Sequence, residues 1–180
     1  MPLPALSKKI VSLAVLLALS LPAAWAAQSQ PASQSEAATP IPSALLGRWS
    51  VTKIIPTQTV GCWDEKQAQQ LVGNQIDYKA GSFTWNGQIL RNQGVTTTTV
   101  EAQEFVEDNA SDSAYVDFPI LGISTPAVQR IIIQHQDISV PGITDQGSEG
   151  IPGDNVLVKD SNTLIFSQCG VWFEAQRLKK

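Results

Sequence analysis

Apolar and polar residues alternate in short segments along most of the chain. In the first segment, residues 45–55, Trp49, Val51, Lys53 and Ile55 fall on one face, which we expect to point inward. A period of two residues is typical of β-strands that bury one face. The same pattern predicts further strands at residues 75–79, 82–85, 95–102, 114–118, 129–136, 155–159, 163–168 and 170–178.

Turn signals join several of these segments to the next one along the chain. They lie at residues 80–81, at the Asn-Gly pair 86–87 and at residues 160–162. Hairpins in succession make neighbouring strands antiparallel, and a small closed barrel has no free edge, so its first and last strands must meet. The fold is therefore predicted to be all-β, a small up-and-down antiparallel β-barrel.

Only one segment carries helix signals. Residues 64–73 begin with Asp64 as a plausible N-cap, Gln67 has the spacing of a capping box, and Gly73 can end the helix in a left-handed conformation. We predict one short helix that covers an end of the barrel.

Two other stretches are predicted to be loops. Residues 101–112 are acidic, and residues 139–153 are rich in glycine and contain Pro141 and Pro152. Long loops inside a compact domain are usually functional or mobile, which makes residues 139–153 a candidate working surface.

The two ends of the predicted barrel carry a recognisable pair of features. Gly47-Arg48-Trp49 resembles the Gly-x-Trp opening of the lipocalin and calycin superfamily, and Arg177 lies near the end of the last strand, where that family places an arginine over the tryptophan. The resemblance implies a lipocalin-like barrel with structural roles for Trp49 and Arg177 at its closed end. The other motifs of the family are not recognisable here, so the resemblance implies no particular ligand.

The N-terminus has the features of an export signal. Lys8 and Lys9 precede an apolar run at residues 10–21, and Ala24 and Ala26 are the small residues that a signal peptidase requires. We therefore predict a signal peptide at residues 1–26 and a periplasmic or secreted protein. The apolar run is shorter than the about 20 residues of a membrane-spanning helix, so no stable membrane insertion is expected.

The rest of the chain divides into a tether and one domain. Gln, Ser, Ala and Pro dominate residues 27–42, a composition that cannot offset the entropy of ordering, so a disordered tether is predicted there. Residues 43–180 are long enough for one domain with its own core. Cys62 and Cys169 are expected to form a disulfide, because an exported chain meets an oxidising compartment.

Charge and chemistry narrow the function. The chain has 12 basic and 16 acidic residues, and two of the lysines belong to the predicted signal peptide. The remaining chain would have ten basic residues and a formal charge of −6, which argues against nucleic acid as a partner. His135 is the only histidine, and it is expected to be a solvated or hydrogen-bonded strand residue. With both cysteines oxidised, no catalytic, metal or cofactor site is predicted, and the protein is not expected to be an enzyme.

The aromatic and aliphatic residues of the first strands leave two functions open. The first is an exported binding module that holds an apolar or amphipathic small molecule inside the barrel. The alternative is a periplasmic protein-binding domain, such as an inhibitor of a basic hydrolase of the lysozyme type, working through residues 139–153. An empty interior would favour the first, and a filled interior with an exposed rigid loop the second. The expected ligand-binding residues are Val51, Ile55, Tyr78, Phe83 and Trp85.

Overall fold

A computed structural model describes residues 38–58, 62–109, 115–136 and 150–179. Eight strands in these ranges form one closed barrel in which each strand pairs antiparallel with the next and the last pairs with the first. This confirms the predicted all-β, up-and-down architecture. The strands are β1 (Gly47–Ile55), β2 (Gln75–Lys79), β3 (Ser82–Trp85), β4 (Gln88–Glu101), β5 (Ala127–His135), β6 (Asn155–Asp160), β7 (Thr163–Gln168) and β8 (Val171–Arg177).

The described residues form two short helices rather than the single one predicted. The first, α1 (Glu65–Gln69), begins as expected: the Asp64 carboxylate accepts from the Gln67 N–H at 2.7 Å, and the Gln67 side chain accepts from the Asp64 N–H at 2.9 Å. This reciprocal pair satisfies two backbone donors that the first helical turn leaves free.

The second helix, α2 (Ala102–Asn109), lies where the acidic sequence predicted a loop. Phe105 is its buried residue, and its ring lies 5.1 Å from that of Phe118 and 5.5 Å from that of Trp172. The loop prediction was wrong because only a narrow stripe of this helix contacts the barrel, so its sequence lacks the apolar periodicity of a half-buried helix.

Two separate apolar clusters lie on the two faces of the sheet. The interior cluster includes Trp49, Val51, Tyr78, Phe83, Trp85, Ile131, Val156, Phe166 and Phe173. The outer cluster lies between the barrel wall and the connection that links β4 to β5, and it includes Ile55, Phe105, Val116, Phe118, Leu121, Leu157, Ile165 and Trp172. The barrel is therefore packed on both sides of β5 to β8.

A β-bulge in β1 changes which residues of this strand point inward. The register between β1 and β8 shifts between Val51 and Lys53, so Thr52 is an extra residue. Ile55 lies opposite Trp172, and both belong to the outer cluster. The expectation that Lys53 and Ile55 share the inward face was wrong, because one extra residue reverses the alternation beyond it.

The predicted strand at 114–118 is not a strand in its described part, residues 115–118. Tyr115 forms an isolated bridge with Gln58, and the chain turns at residues 118–122. Val116 and Phe118 are two residues apart and both pack in the outer cluster, which gives this segment the alternation of a strand without strand pairing.

At the N-terminal end, Ile41 belongs to the interior cluster, although its sequence context predicts a tether. It is 3% exposed and its N–H donates to the Ala80 carbonyl at 2.9 Å, so the tether predicted at residues 27–42 does not extend to Ile41. Residues 27–37 of the predicted tether and the predicted signal peptide lie outside the described residues.

Candidate functional site

Four of the five expected ligand-binding residues lie together in the barrel interior. Val51 and Tyr78 are each 1% exposed, Phe83 is fully buried and Trp85 is 2% exposed. An empty space large enough for a ligand would leave accessible surface on the side chains that line it. These four side chains are therefore packed against other protein atoms. Ile55 is not with them, because the bulge directs it to the outer cluster.

Part of the interior is filled by the chain itself, through the end of the long β5–β6 connection. Ile151 is 6% exposed and belongs to the interior cluster, and the two residues after it are also buried. The Tyr78 hydroxyl donates to the Gly153 carbonyl at 2.7 Å. A Cβ on Gly153 would lie 2.8 Å from the Tyr78 hydroxyl and 2.9 Å from Ile76, and its φ of +94° also requires glycine.

An ion pair or hydrogen bond closes the base of this connection. His135 Nε2 lies 3.2 Å from Asp154 Oδ2, and the His135 ring contacts Phe83 edge-on at 5.7 Å. Burial, together with the charge of Asp154, raises the pKa of Tyr78 above its ordinary value. Tyr78 is therefore neutral at physiological pH and acts as a hydrogen-bond donor.

Further hydrogen bonds hold the C-terminal end of the connection. The Asp154 carboxylate accepts from the Ile151 N–H at 2.7 Å, and the Asp154 carbonyl accepts from the Ile133 N–H at 2.7 Å. Gln168 Nε2 donates to the Gly150 carbonyl at 3.1 Å. Residues 137–149, which include most of the expected working loop, lie outside the described residues, but residues 150–154, which follow them, are held on the barrel by these bonds.

The sequence did not reveal this anchor. Residues 150–153 were predicted only as loop, and His135 only as a hydrogen-bonded or solvated strand residue. One signal was available: Ile151 is an isolated apolar residue within a stretch that is otherwise rich in glycine and acidic residues.

The opposite end of the barrel is closed by Trp49 and Arg177. The guanidinium carbon of Arg177 lies 4.0 Å from the centre of the Trp49 ring, and the indole N–H donates to the Leu45 carbonyl at 2.7 Å. The Arg177 guanidinium donates three hydrogen bonds to backbone carbonyls, those of Ser161 at 2.8 Å, Leu46 at 2.5 Å and Ala44 at 2.6 Å. These bonds fix the chain that crosses this end.

Gly47 makes this closure possible. Its φ is +117°, and a Cβ at this position would lie 3.3 Å from Arg177 Nη1. A side chain here would strain the backbone and crowd the guanidinium. The Gly-x-Trp spacing thus brings an indole and a guanidinium into contact.

Cys62 and Cys169 form a disulfide with a Cα–Cα distance of 5.2 Å. The bond joins the β1–β2 connection to the β7–β8 turn, and the Cys62 N–H donates to the Cys169 carbonyl at 3.0 Å. It lies at the end of the barrel that holds α1, far along the strands from Arg177.

A polar network lies on the outer face of β8. Glu174 is 8% exposed, and its carboxylate lies 3.3 Å from Lys53 Nζ and 3.5 Å from Lys159 Nζ. Burial raises the pKa of Glu174, but hydrogen bonds from Gln176 and Lys53 and the charges of Lys53 and Lys159 outweigh it, so the pKa is lowered overall. The glutamate is ionised at neutral pH and ties three strands together.

The remaining features of the described residues offer little chemistry. An open cleft along α1 is lined by polar side chains, those of Asp64, Glu65, Lys66, Gln69 and Gln70. Within the described ranges, no three His, Cys, Asp or Glu side chains come close enough to hold a metal ion. Across the same residues, no helix has the length and apolar character needed to cross a membrane.

The described residues thus form a small closed antiparallel barrel with a packed interior. Trp49 and Arg177 close one end, and the end of the long β5–β6 connection is held at the other. Comparisons with protein-family models, with curated proteins and with solved structures found no match.

Proposed function

We propose that this protein is an exported, non-catalytic barrel of the lipocalin-like kind whose partner is another protein. The observation that carries the proposal is the burial of Val51, Tyr78, Phe83 and Trp85, each 2% exposed or less. A carrier of small molecules would need these side chains to separate before a ligand could enter. A domain that binds with its surface needs no such space.

Kinship with the lipocalin-like barrels rests on the closed end. Gly47, Trp49 and Arg177 make the contacts that the resemblance implies, with the guanidinium 4.0 Å from the ring centre. Export is supported by the disulfide between Cys62 and Cys169, which is the bond expected of a protein in an oxidising compartment.

The binding surface we assign is the connection at residues 139–153. Its last residues are held by Gln168 and Asp154, so binding would not have to order this end of the loop. With a formal charge of −6 after loss of the signal peptide, the protein would attract a basic partner, and a hydrolase of the lysozyme type is a fitting target.

Two titrations of the purified protein test this proposal side by side, one with an apolar fluorescent probe and one with a basic lysozyme. We expect no saturable probe binding, and lysozyme binding that weakens as salt rises. A variant with residues 139–149 replaced by a short Gly-Ser linker keeps Ile151 and Asp154, so its barrel should fold but no longer bind lysozyme. Stoichiometric probe binding would instead support the carrier, and absence of lysozyme binding would remove this class of target.

A further inference from the structure

Among the described residues, strand β4 extends past its neighbour β3 and has no strand beside it on that side along most of its length; we call this side of residues 93–101 the free edge. The strand spans Gln88–Glu101, but β3 pairs only with residues 88–91 of it. From Asn92 to Glu101 it pairs with β5 on one side. The Asn92 N–H still bonds to the Gly81 carbonyl on the other side, but beyond it, to Glu101, none of the described residues forms a strand there.

Backbone hydrogen bonds show which groups point to this free edge. In antiparallel strands, alternate residues direct both N–H and C=O to the same side. The Ala102 N–H donates to Pro126, on the β5 side, so the residues that alternate with it, Thr96, Thr98 and Val100, also face β5. The groups of Val95, Thr97 and Thr99 therefore point away from β5.

A second bond agrees with this assignment. Ile133 lies opposite Val95, and its N–H donates to the Asp154 carbonyl on the β6 side of β5. Two residues opposite each other in an antiparallel pair either both face each other or both face away. Val95 thus directs its backbone groups outward.

The central part of this edge, residues 95–100, lacks the features by which proteins prevent strands from joining. Edge strands are usually interrupted by proline, lysine or another charge, or by a bulge. Between Val95 and Val100 every residue is an uncharged Val or Thr, all β-branched and suited to strands, and Thr96 to Thr99 are exposed. The register shift near Asn92 and the charge of Glu101 lie at the two ends of this run.

We propose that this edge pairs with the same edge of a second copy of the chain, so that β4 of the two copies form an antiparallel pair about a two-fold axis. Such an axis is perpendicular to the sheet and leaves each face of the sheet on the same side, so one residue must lie opposite its own copy, with the axis midway between the two. Near the middle of the edge this residue is either Thr97 or Thr98. An axis at Thr97 sets Thr97 opposite itself and Val95 opposite Thr99, which joins the outward backbone groups.

Side chains fit a second copy in either register. With the axis at Thr97, Thr96 lies opposite Thr98 of the other copy, and with the axis at Thr98, Thr97 lies opposite Thr99. Thr–Thr pairs are favourable across antiparallel strands. Glu101 falls opposite Gln93 or Val95 of the other copy, so no like charges meet along the pairing. This identity of the two partners is why we assign a second copy rather than another extended chain.

The contact is small, so the dimer should depend on concentration. Stable interfaces bury about 800 Å² on each partner, with 20–30 residues a side, and a pair of six-residue strands falls well below this. We expect a dissociation constant between about 1 μM and 1 mM. This proposal is independent of what binds the loop at residues 139–153.

Sedimentation of the protein across this concentration range tests the proposal. We expect a reversible shift from monomer to dimer, and Thr97→Lys should weaken it at least about tenfold, because each copy then adds a charge at or beside the axis. Ile89→Lys is the matched control: it adds the same charge on β4 outside the free edge, at a residue 67% exposed. A monomer at all concentrations, or a dimer broken by Ile89→Lys and not by Thr97→Lys, would overturn the proposal.

Hydrogen exchange provides a second readout that does not depend on a variant. In dilute protein, the amides of Thr96 and Thr98 should be protected by β5, and those of Thr97 and Thr99 should exchange fast. At high concentration all four should be protected. Unchanged exchange at Thr97 and Thr99 in samples that contain dimer would place the contact elsewhere and refute the assignment.

Discussion

Truncation of Phe83 to alanine separates a packed barrel from a ligand carrier. The ring is fully buried, and it lies 5.9 Å from the ring of Tyr78 and 5.7 Å from that of His135. In a packed interior these neighbours cannot close the space that the ring leaves, because their own positions are set by hydrogen bonds to Gly153 and Asp154.

The expected loss follows from this burial. Phe→Ala changes at packed sites lower the free energy of unfolding by about 3–5 kcal/mol. With a urea dependence of about 2 kcal/mol per molar, the unfolding midpoint should fall by about 1.5–2.5 M. A wall of a ligand cavity would tolerate the same change with a much smaller loss, since one side of the ring would already face open space.

Urea unfolding, followed by tryptophan fluorescence, measures this loss. The control is Ile89→Ala on the neighbouring strand: Ile89 is 67% exposed, so the change should cost less than about 0.5 kcal/mol. An apolar fluorescent probe is titrated into the wild-type protein in parallel. A loss of less than about 1 kcal/mol for Phe83→Ala, together with saturable probe binding by the wild type, would refute the packed interior.

Three further changes probe the closed end, the disulfide and the outer network. Arg177→Ala should lower the free energy of unfolding by about 2–4 kcal/mol, from the lost ring contact and hydrogen bonds, whereas Lys179→Ala should be nearly neutral; equal urea midpoints would contradict the closing role. Peptide mapping without reduction should recover Cys62 linked to Cys169, and reduction should cost up to about 4–5 kcal/mol; free thiols in the folded protein would contradict the pairing. Because the pKa of Glu174 is lower in the folded than in the unfolded state, its ionised carboxylate stabilises the fold above the unfolded-state pKa, and this stabilisation is lost as pH falls through the folded-state pKa. The difference in stability between wild type and Glu174→Gln should therefore shrink below about pH 4.3. A difference that does not change with pH would contradict the network.

The strands of the barrel, its tight turns and helix α1 could be predicted because they depend on local patterns. The Asn-Gly pair at residues 86–87 adopts positive φ in the β3–β4 hairpin, as this turn requires. The capping box of α1 needs only Asp64 and Gln67 at the correct spacing. Trp49 and Arg177 are distant in sequence, and they were paired through a family resemblance rather than through any pattern in the chain.

What could not be predicted depends on contacts between distant segments. The bulge at Thr52 depends on the register with β8, and a period of two cannot show an extra residue. Ile55 therefore changed face. Helix α2 contacts the barrel chiefly through Phe105, so its sequence shows little apolar periodicity. The alternating strands predict that the barrel has an interior, but they do not show that Ile151 fills part of it.

Native mass spectrometry of the protein isolated from its own source distinguishes a barrel that binds another protein from one that carries a small molecule. We expect the mass of a chain that begins at Ala27 and carries one disulfide, with no small molecule retained and with a second protein in the complexes of higher mass. Because Phe83 and Trp85 are packed, nothing should dissociate from the barrel on denaturation except that partner. A stoichiometric small molecule released from the monomer, with no protein partner, would contradict both the packed interior and the proposed protein partner.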